Sequence, residues 1–306
     1  MRHFLKDTDI SADEQRLVLD TGHELRATPR KFCHELEGNT IGLFFEKHSL
    51  RTRVSSEVAC YQLGAHAISL QGRDLQIARG ETANDTARVL GGYLSLLMGR
   101  VNSHTTLEAF ARCNCLPVVN GLSDKYHPLQ ALADLLTIEE EFGENIRGRN
   151  LTYFGDANNV CRSLALSAIL RGMNITIASP DRFSLDTETF NELTELAKHN
   201  KTTLTLTSDP IAAASQAHVL YTDVWTSMGD EAQESDRVAL FAPYQINHRL
   251  VSQAHPDAIV LHCLPAHRGE DITSEVLDGP KSRVFRQAHN RLPATASLFL
   301  FLLRQK

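Results

Sequence analysis

The run Ile41-Gly-Leu-Phe-Phe45, followed by Glu46-Lys-His-Ser-Leu-Arg-Thr-Arg-Val54 and closed at Gly64, decides the reading of this chain. A short apolar run bounded by a polar loop predicts a buried strand. Val54, Val58 and Tyr61 then recur at helical spacing, so a helix with an apolar face is expected over 52–64. A strand passing directly into a helix is the unit of a parallel sheet, because parallel neighbours need a long crossover that a helix supplies.

The same unit recurs outward from it. A strand at 66–70 precedes a helix over about 84–97 that opens near Asn84-Asp-Thr and carries Val89, Leu90 and Leu94. A short strand to about 101, a helix near 105–113, a strand at Pro117-Val-Val-Asn120 and a helix over 128–142 follow. The stretch from Glu139 to Arg149 is a polar break, after which the series restarts with Leu151-Thr-Tyr-Phe154 and a helix over about 159–171. Further strands are expected at 174–179, 203–207, 217–223 and 258–263. A last helix, about 294–304, is rich in Leu and Phe on most sides and requires burial. The expected fold is α/β: two doubly wound parallel-sheet domains, residues 1–142 and 143–306, with the ligand site in the cleft between them and the last helix packed back on the first domain. A length of 306 residues agrees, at roughly 150 residues per domain.

Composition excludes several classes. With 31 Lys+Arg against 37 Asp+Glu, the net charge of −6 argues against a nucleic-acid partner. At 42% hydrophobic and 22% charged residues the chain is not disordered. The longest apolar run, Leu298-Phe-Leu-Phe-Leu-Leu303, is far short of the ~20 residues that span a bilayer, so no membrane partner is expected. The acidic N-terminal stretch resembles neither a secretory nor a transit peptide, and the six cysteines form no C-x-x-C pair. Reduced thiols and a cytoplasmic location are expected. Cys113-Asn-Cys115 is too closely spaced for a zinc knuckle and no H-E-x-x-H occurs, so no metal site is expected.

In parallel sheets ligands bind beyond the carboxyl ends of strands, which reduces the candidates to a few loops. Ser49, Arg51 and Thr52 after the first strand, with the N–H groups of the following helix, suit a phosphate; the plainer alternative is a Ser-capped helix start with two exposed arginines. Ser123-Asp-Lys-Tyr-His-Pro-Leu-Gln130 places His127 and Gln130 at a helix start, where capping explains much of the pattern. Arg100 ends an apolar run and calls for an anion. Phe154-Gly-Asp-Ala-Asn-Asn159 has the position of a dinucleotide loop without G-x-G-x-x-G, which counts against NAD; Asp156, Asn158 and Asn159 suit a small zwitterion, or a helix cap. Two further strands deliver Asp223 and Cys263 to the same edge, although a cysteine in an apolar strand is commonly a core residue.

Taken together, FEKHSLRTR, Gln76-Ile-Ala-Arg-Gly-Glu-Thr, Asp85-Thr-Ala-Arg88, HPLQALAD, GDANN, DVWTSMG, HCLPAHRGE and Asn290-Arg291 resemble the ornithine carbamoyltransferases, within the family that includes aspartate carbamoyltransferase. The resemblance runs nearly end to end. It implies that Ser49, Leu50, Arg51, Thr52, Arg100, His127 and Gln130 bind carbamoyl phosphate, with Arg291 completing the site and Gln76 reaching in from a neighbouring subunit of a trimer or a multiple of one. It implies that Asn159, Asp223, Ser227 and Met228 hold the α-carboxylate and α-amino groups of ornithine, and that Cys263 and Leu264 line the position of its side-chain amine. Arg51, Arg100, His127, Asp223 and Cys263 are the expected catalytic groups, and no cofactor is required because the leaving group is already activated. The family usually reads S-T-R-T where this chain has Leu50, which tests whether that position contributes a hydroxyl or only a backbone N–H. Aspartate or putrescine as acceptor, a nicotinamide dehydrogenase and a non-catalytic amino-acid binder are the competing readings.

Overall fold

The computed structural model describes residues 1–72, 80–225 and 234–304. Two all-parallel sheets are present. The first contains β1 (Thr40–Phe45), β2 (His66–Gln71), β3 (Leu96–Arg100) and β4 (Val118–Leu122) in the order β2-β1-β3-β4. The second contains β5 (Asn150–Phe154), β6 (Asn174–Ala178), β7 (Leu204–Thr207), β8 (Val219–Thr222) and β9 (Ile259–His262) in the order β7-β6-β5-β8-β9. In each sheet the chain builds outward from a central strand and then returns to its other side. The order reverses between β1 and β3 and between β5 and β8, which is where a parallel sheet opens a crevice at its carboxyl edge.

Helices follow the strands. In the first series these are α1 (Ala12–Ala27), α2 (Arg51–Gln62), α3 (Ala83–Gly91), α4 (His104–Arg112) and α5 (Pro128–Phe142). The second series has α6 (Asn159–Leu170), α7 (Thr187–Asn200), α8 (Pro210–Ala214), α9 (Glu234–Phe241), α10 (His248–Val251), α11 (Ser274–Leu277) and α12 (Val284–Leu303). Strands β1, β3, β5 and β8 are buried almost throughout, as strands covered on both faces must be.

Three elements differ from the sequence expectation. Val54, Val58 and Tyr61 of α2 face solvent, and the helix instead packs through Thr52, Ser56, Ala59 and Cys60, whose small side chains let it lie close to the sheet. Helix α3 ends at Gly91, not near 97; Val89 is exposed, and Leu94 is buried from the connection leading into β3. Helix α12 begins at Val284, with Pro293 inside it, and its residues from Ala294 to Leu303 are nearly all buried.

The chain falls into two compact units, residues 1–136 with 290–306 and residues 137–289. The divide between these units runs inside α5 and again inside α12. The carboxylates that read as a polar break explain this, because each joins the second unit: Glu139 is buried against Arg171, Glu140 pairs with Arg286 at 2.7 Å and Glu141 with Arg283 at 2.6 Å. Cys113 and Cys115 are joined as a disulfide across Asn114, whose φ of 52° brings the two sulfurs together; the expectation of free thiols holds for Cys33, Cys60, Cys161 and Cys263. No helix among the described residues is long and apolar enough to cross a membrane.

Candidate active site

In the first unit, the loop leaving β1 carries Ser49 and Leu50 into the amino end of α2. Leu50 is the capping residue, and no side chain closes that end of the helix. The alternative of a Ser-capped start is therefore not what forms. The Leu50 side chain is 75% exposed, while Thr52, the second residue of the helix, is buried. Arg51 opens the same helix, and Arg100 lies at the carboxyl end of β3, the strand beside β1. Glu46 secures both exits: its backbone N–H donates to Arg100 O at 2.9 Å, and its carboxylate accepts from Asn102 N at 2.6 Å.

Arg291 reaches this edge from α12. Its guanidinium donates to Gln130 Oε1 at 2.7 Å and to Thr52 Oγ1 at 3.1 Å, and all three residues are buried. His127, immediately before Pro128 at the start of α5, is buried beside them. Burial pushes its imidazole pKa well below the usual value, and the charges on Arg291, Arg100 and Arg51 push it further the same way. Three guanidinium groups thus converge on one neutral imidazole. Such a concentration of positive charge, with Arg291 buried and Arg51 and Arg100 half-buried, next to an uncapped helix end is an anion site, and a neutral imidazole within it donates to an oxygen without adding charge.

The pH consequence is definite in sign. A histidine whose folded pKa lies below 6.5 takes up a proton on unfolding between those two values, so its contribution to stability is complete above about pH 6.5 and falls as the pH drops below it. In a ring-nitrogen NMR titration the midpoint of His127 is expected well below 6.5; a midpoint near 6.5 would show that neither burial nor the three charges act on it.

The second unit gathers a different set. Gly155, at φ 124°, turns the chain out of β5 into Asp156-Ala-Asn158, and Asn158 caps α6 by accepting from Val160 N and Cys161 N. The capping role thus falls on Asn158, while Asn159 is the first helical residue. Asp223, at the end of β8, is buried and accepts three hydrogen bonds: from Asn158 Nδ2 at 2.9 Å, from Val224 N at 2.8 Å and from Cys263 Sγ at 2.7 Å. Cys263 leaves β9, followed by Leu264 in the left-handed region at φ 58°. That unfavourable backbone is held by His262, whose Nδ1 accepts from Leu264 N at 2.8 Å while Nε2 faces Asp271 Oδ1 at 3.2 Å. Asp223, His262 and Cys263 place their ligand atoms within 4.8 Å of one another, yet both imidazole nitrogens are committed to these bonds, so the trio does not suit a metal ion.

The structure therefore brings Thr52, Arg51, Arg100, His127, Gln130 and Arg291 together in one unit, and Asp223 and Cys263 in the other. Gln76, Ser227 and Met228 lie outside the described residues. Arg237 is a participant that no motif announced. Its guanidinium pairs with Asp156 and donates to Trp225 O at 2.8 Å, tying the ends of the β5 and β8 loops. The only sequence sign of it is an arginine following an acidic run.

Comparison with known proteins matches the chain in two parts. The carbamoyl-P binding domain of aspartate/ornithine carbamoyltransferase matches residues 2–140, and the Asp/Orn binding domain of the same proteins matches residues 147–302. The chain belongs to the aspartate/ornithine carbamoyltransferase family. Within it, the chain is 49% identical over 304 residues to the ornithine carbamoyltransferase of Halalkalibacterium halodurans, covering 99% of this chain and 95% of that one. Among solved structures it is similar to the ornithine carbamoyltransferase from Pyrococcus furiosus, with a TM-score of 0.95, 42% identity and coverage of 100% and 98%. The anabolic ornithine carbamoyltransferase from Campylobacter jejuni gives 0.94 at 37% identity, with full coverage of both chains.

Proposed function

We propose that the protein transfers the carbamoyl group of carbamoyl phosphate to the side-chain amine of L-ornithine, giving L-citrulline and phosphate. The observation that carries this reading is the convergence of Arg291, Arg100 and Arg51 on neutral His127 at the uncapped start of α2. In the reaction the amine nitrogen forms a bond to the carbonyl carbon, the carbon–oxygen bond to phosphate breaks, and the amine gives up a proton. Negative charge develops on the carbonyl oxygen, where Arg100, His127 and Thr52 are the donors. Arg51, Arg291 and the N–H groups of α2 stabilise the departing phosphate, with Ser49 and Leu50 contributing at the helix start and Gln130 holding the carbamoyl end. The chemistry proceeds without metal or organic cofactor because phosphate is a competent leaving group.

The acceptor must be a neutral amine. With a lysine-like pKa of ~10.4, deprotonation near pH 7 costs roughly 4–5 kcal/mol, which desolvation lowers. Cys263 and Asp223 supply a relay: the thiol takes the amine proton while passing its own to the carboxylate oxygen 2.7 Å away. Asn159, Asp223, Ser227 and Met228 hold the amino-acid end and Leu264 lines the side chain. Asp223 favours a cationic or amine-bearing acceptor over aspartate, whose second carboxylate it would repel. Putrescine would leave the zwitterion contacts unused.

A homotrimer or multiple of trimers, with Gln76 donated across subunits, belongs to the same reading. It is supported by the exposed stripe Leu50, Val54, Val58 and Tyr61 along α2, next to the edge strand β2. A cytoplasmic location and a place in arginine metabolism belong to the same reading. Steady-state assays with ornithine, aspartate and putrescine test the acceptor: ornithine is expected to exceed both others in kcat/KM by more than a hundredfold, and parity with aspartate would refute the reading.

Leu50 bears on the phosphate end. Its side chain points to solvent, which supports a contribution through the backbone alone. Leu50→Thr is expected to change KM for carbamoyl phosphate by less than about tenfold, or ~1.4 kcal/mol; a larger gain would show that the missing hydroxyl matters.

A further inference from the structure

Gln130 is held between two groups of opposite hydrogen-bonding sense. Its Nε2 donates to Asp134 Oδ1 at 2.8 Å, and its Oε1 accepts from Arg291 Nη1 at 2.7 Å. Asp134 lies one turn further along α5 and is fully buried, with Gln130 and Arg291 nearly so. A carboxylate accepts and a guanidinium only donates, so the primary amide has one orientation. Turning it over would set its NH2 group against the guanidinium and its oxygen against the carboxylate, in a place water does not reach. The amide oxygen has two lone pairs and Arg291 occupies one direction, which leaves the second for a donor.

We propose that Asp134 is a positioning residue that makes Gln130 an obligatory hydrogen-bond acceptor, and that the site thereby selects carbamoyl phosphate over acyl phosphates of the same shape. The inference rests on the reading of this edge as the carbamoyl-phosphate site. Carbamoyl and acetyl phosphate differ only in bearing NH2 or CH3 on the same carbon. An oxygen fixed toward that substituent is satisfied by N–H and left without a partner by a methyl group, and a buried polar group deprived of its partner is the strongest source of discrimination between near-isosteres. With Asn at 134, whose amide can face either end of Gln130, only Arg291 still opposes the turned-over orientation, and the selection relaxes.

Calorimetric titration of the full-length protein with carbamoyl phosphate, acetyl phosphate and inorganic phosphate tests this, with unfolding curves to establish that each variant folds. Asp134→Asn is expected to weaken carbamoyl phosphate about tenfold while acetyl phosphate and phosphate stay within about twofold. In a Gln130→Met background, Asp134→Asn should produce no further loss of selectivity, since the amide through which it acts is gone. Equal weakening of all three ligands, an unchanged ratio, or a further loss in the Gln130→Met background would each overturn the proposal. Should Asp134→Asn not fold, the wild type still decides: its preference for carbamoyl over acetyl phosphate must largely vanish in Gln130→Met, and persistence of the preference overturns the claim. Binding is read without turnover, so selectivity in a protein that makes no citrulline would refute the proposed reaction alone, and citrulline formation without selectivity would refute this inference alone.

Discussion

Arg100→Met lowers kcat/KM for carbamoyl phosphate by about a hundred- to a thousandfold, or ~3–4 kcal/mol, the loss typical of removing one preorganised donor from a developing oxyanion. The position suits the test. Arg100 ends β3 beside β1 at the reversal of strand order, and its charge is one of three that act on the buried imidazole of His127. Methionine keeps the apolar stem of the side chain, so the packing of β3 through Leu96, Leu97 and Met98 is untouched. If Arg100 acts on the carbonyl oxygen, kcat falls more than KM rises, because the interaction strengthens as charge develops. Arg100→Lys should recover only part of the loss, since an ammonium lacks the planar fork. A variant with unchanged kcat and a raised KM would move Arg100 to ground-state phosphate binding.

Asp223→Asn is the second large effect. Asp223 accepts from Asn158, from Val224 N and from the Cys263 thiol, and an amide in its place turns an NH2 group toward one of those donors. The substitution also removes the negative charge that receives the relayed proton. A loss of about a hundred- to a thousandfold in kcat/KM for ornithine is expected, with KM for carbamoyl phosphate within about threefold, because the carboxylate belongs to the second unit's set of residues. Cys263→Ser, which retains a donor to Asp223, should lose less, with a raised ornithine KM or lowered turnover. Steady-state kinetics with each substrate varied in turn separates the cases. Equal losses toward both substrates would mean that Asp223 supports the loop rather than the acceptor, and an unaltered Cys263→Ser enzyme would remove the thiol from the mechanism.

Much of this arrangement was legible in the sequence because parallel sheets put their ligand residues immediately after strands. Once Ile41–Phe45 is a strand, Ser49–Thr52 must lie at its carboxyl edge, and the same holds for Arg100, Asp223 and Cys263. What was not legible depends on contacts between distant segments. Periodicity placed Val54, Val58 and Tyr61 on one face of α2 but could not say that small residues pack the helix and leave that face exposed. Pro293 sits within α12 without ending it, so the helix starts at Val284, well before the expected 294. Arg291 meets Gln130 from 161 residues away and Arg237 meets Asp156 from 81, and no local pattern encodes either pairing. Asp134 was visible only as part of HPLQALAD; its bond to Gln130 needed the side-chain geometry.

Carbon-13 NMR of the purified protein mixed with 13C-carbamoyl phosphate and L-ornithine tests the central claim most directly. The label is expected in the ureido carbon of citrulline, bonded to the side-chain nitrogen, with one phosphate released for each molecule formed. Label retained in carbamoyl phosphate, or lost to carbamate with ornithine unconsumed, would contradict it.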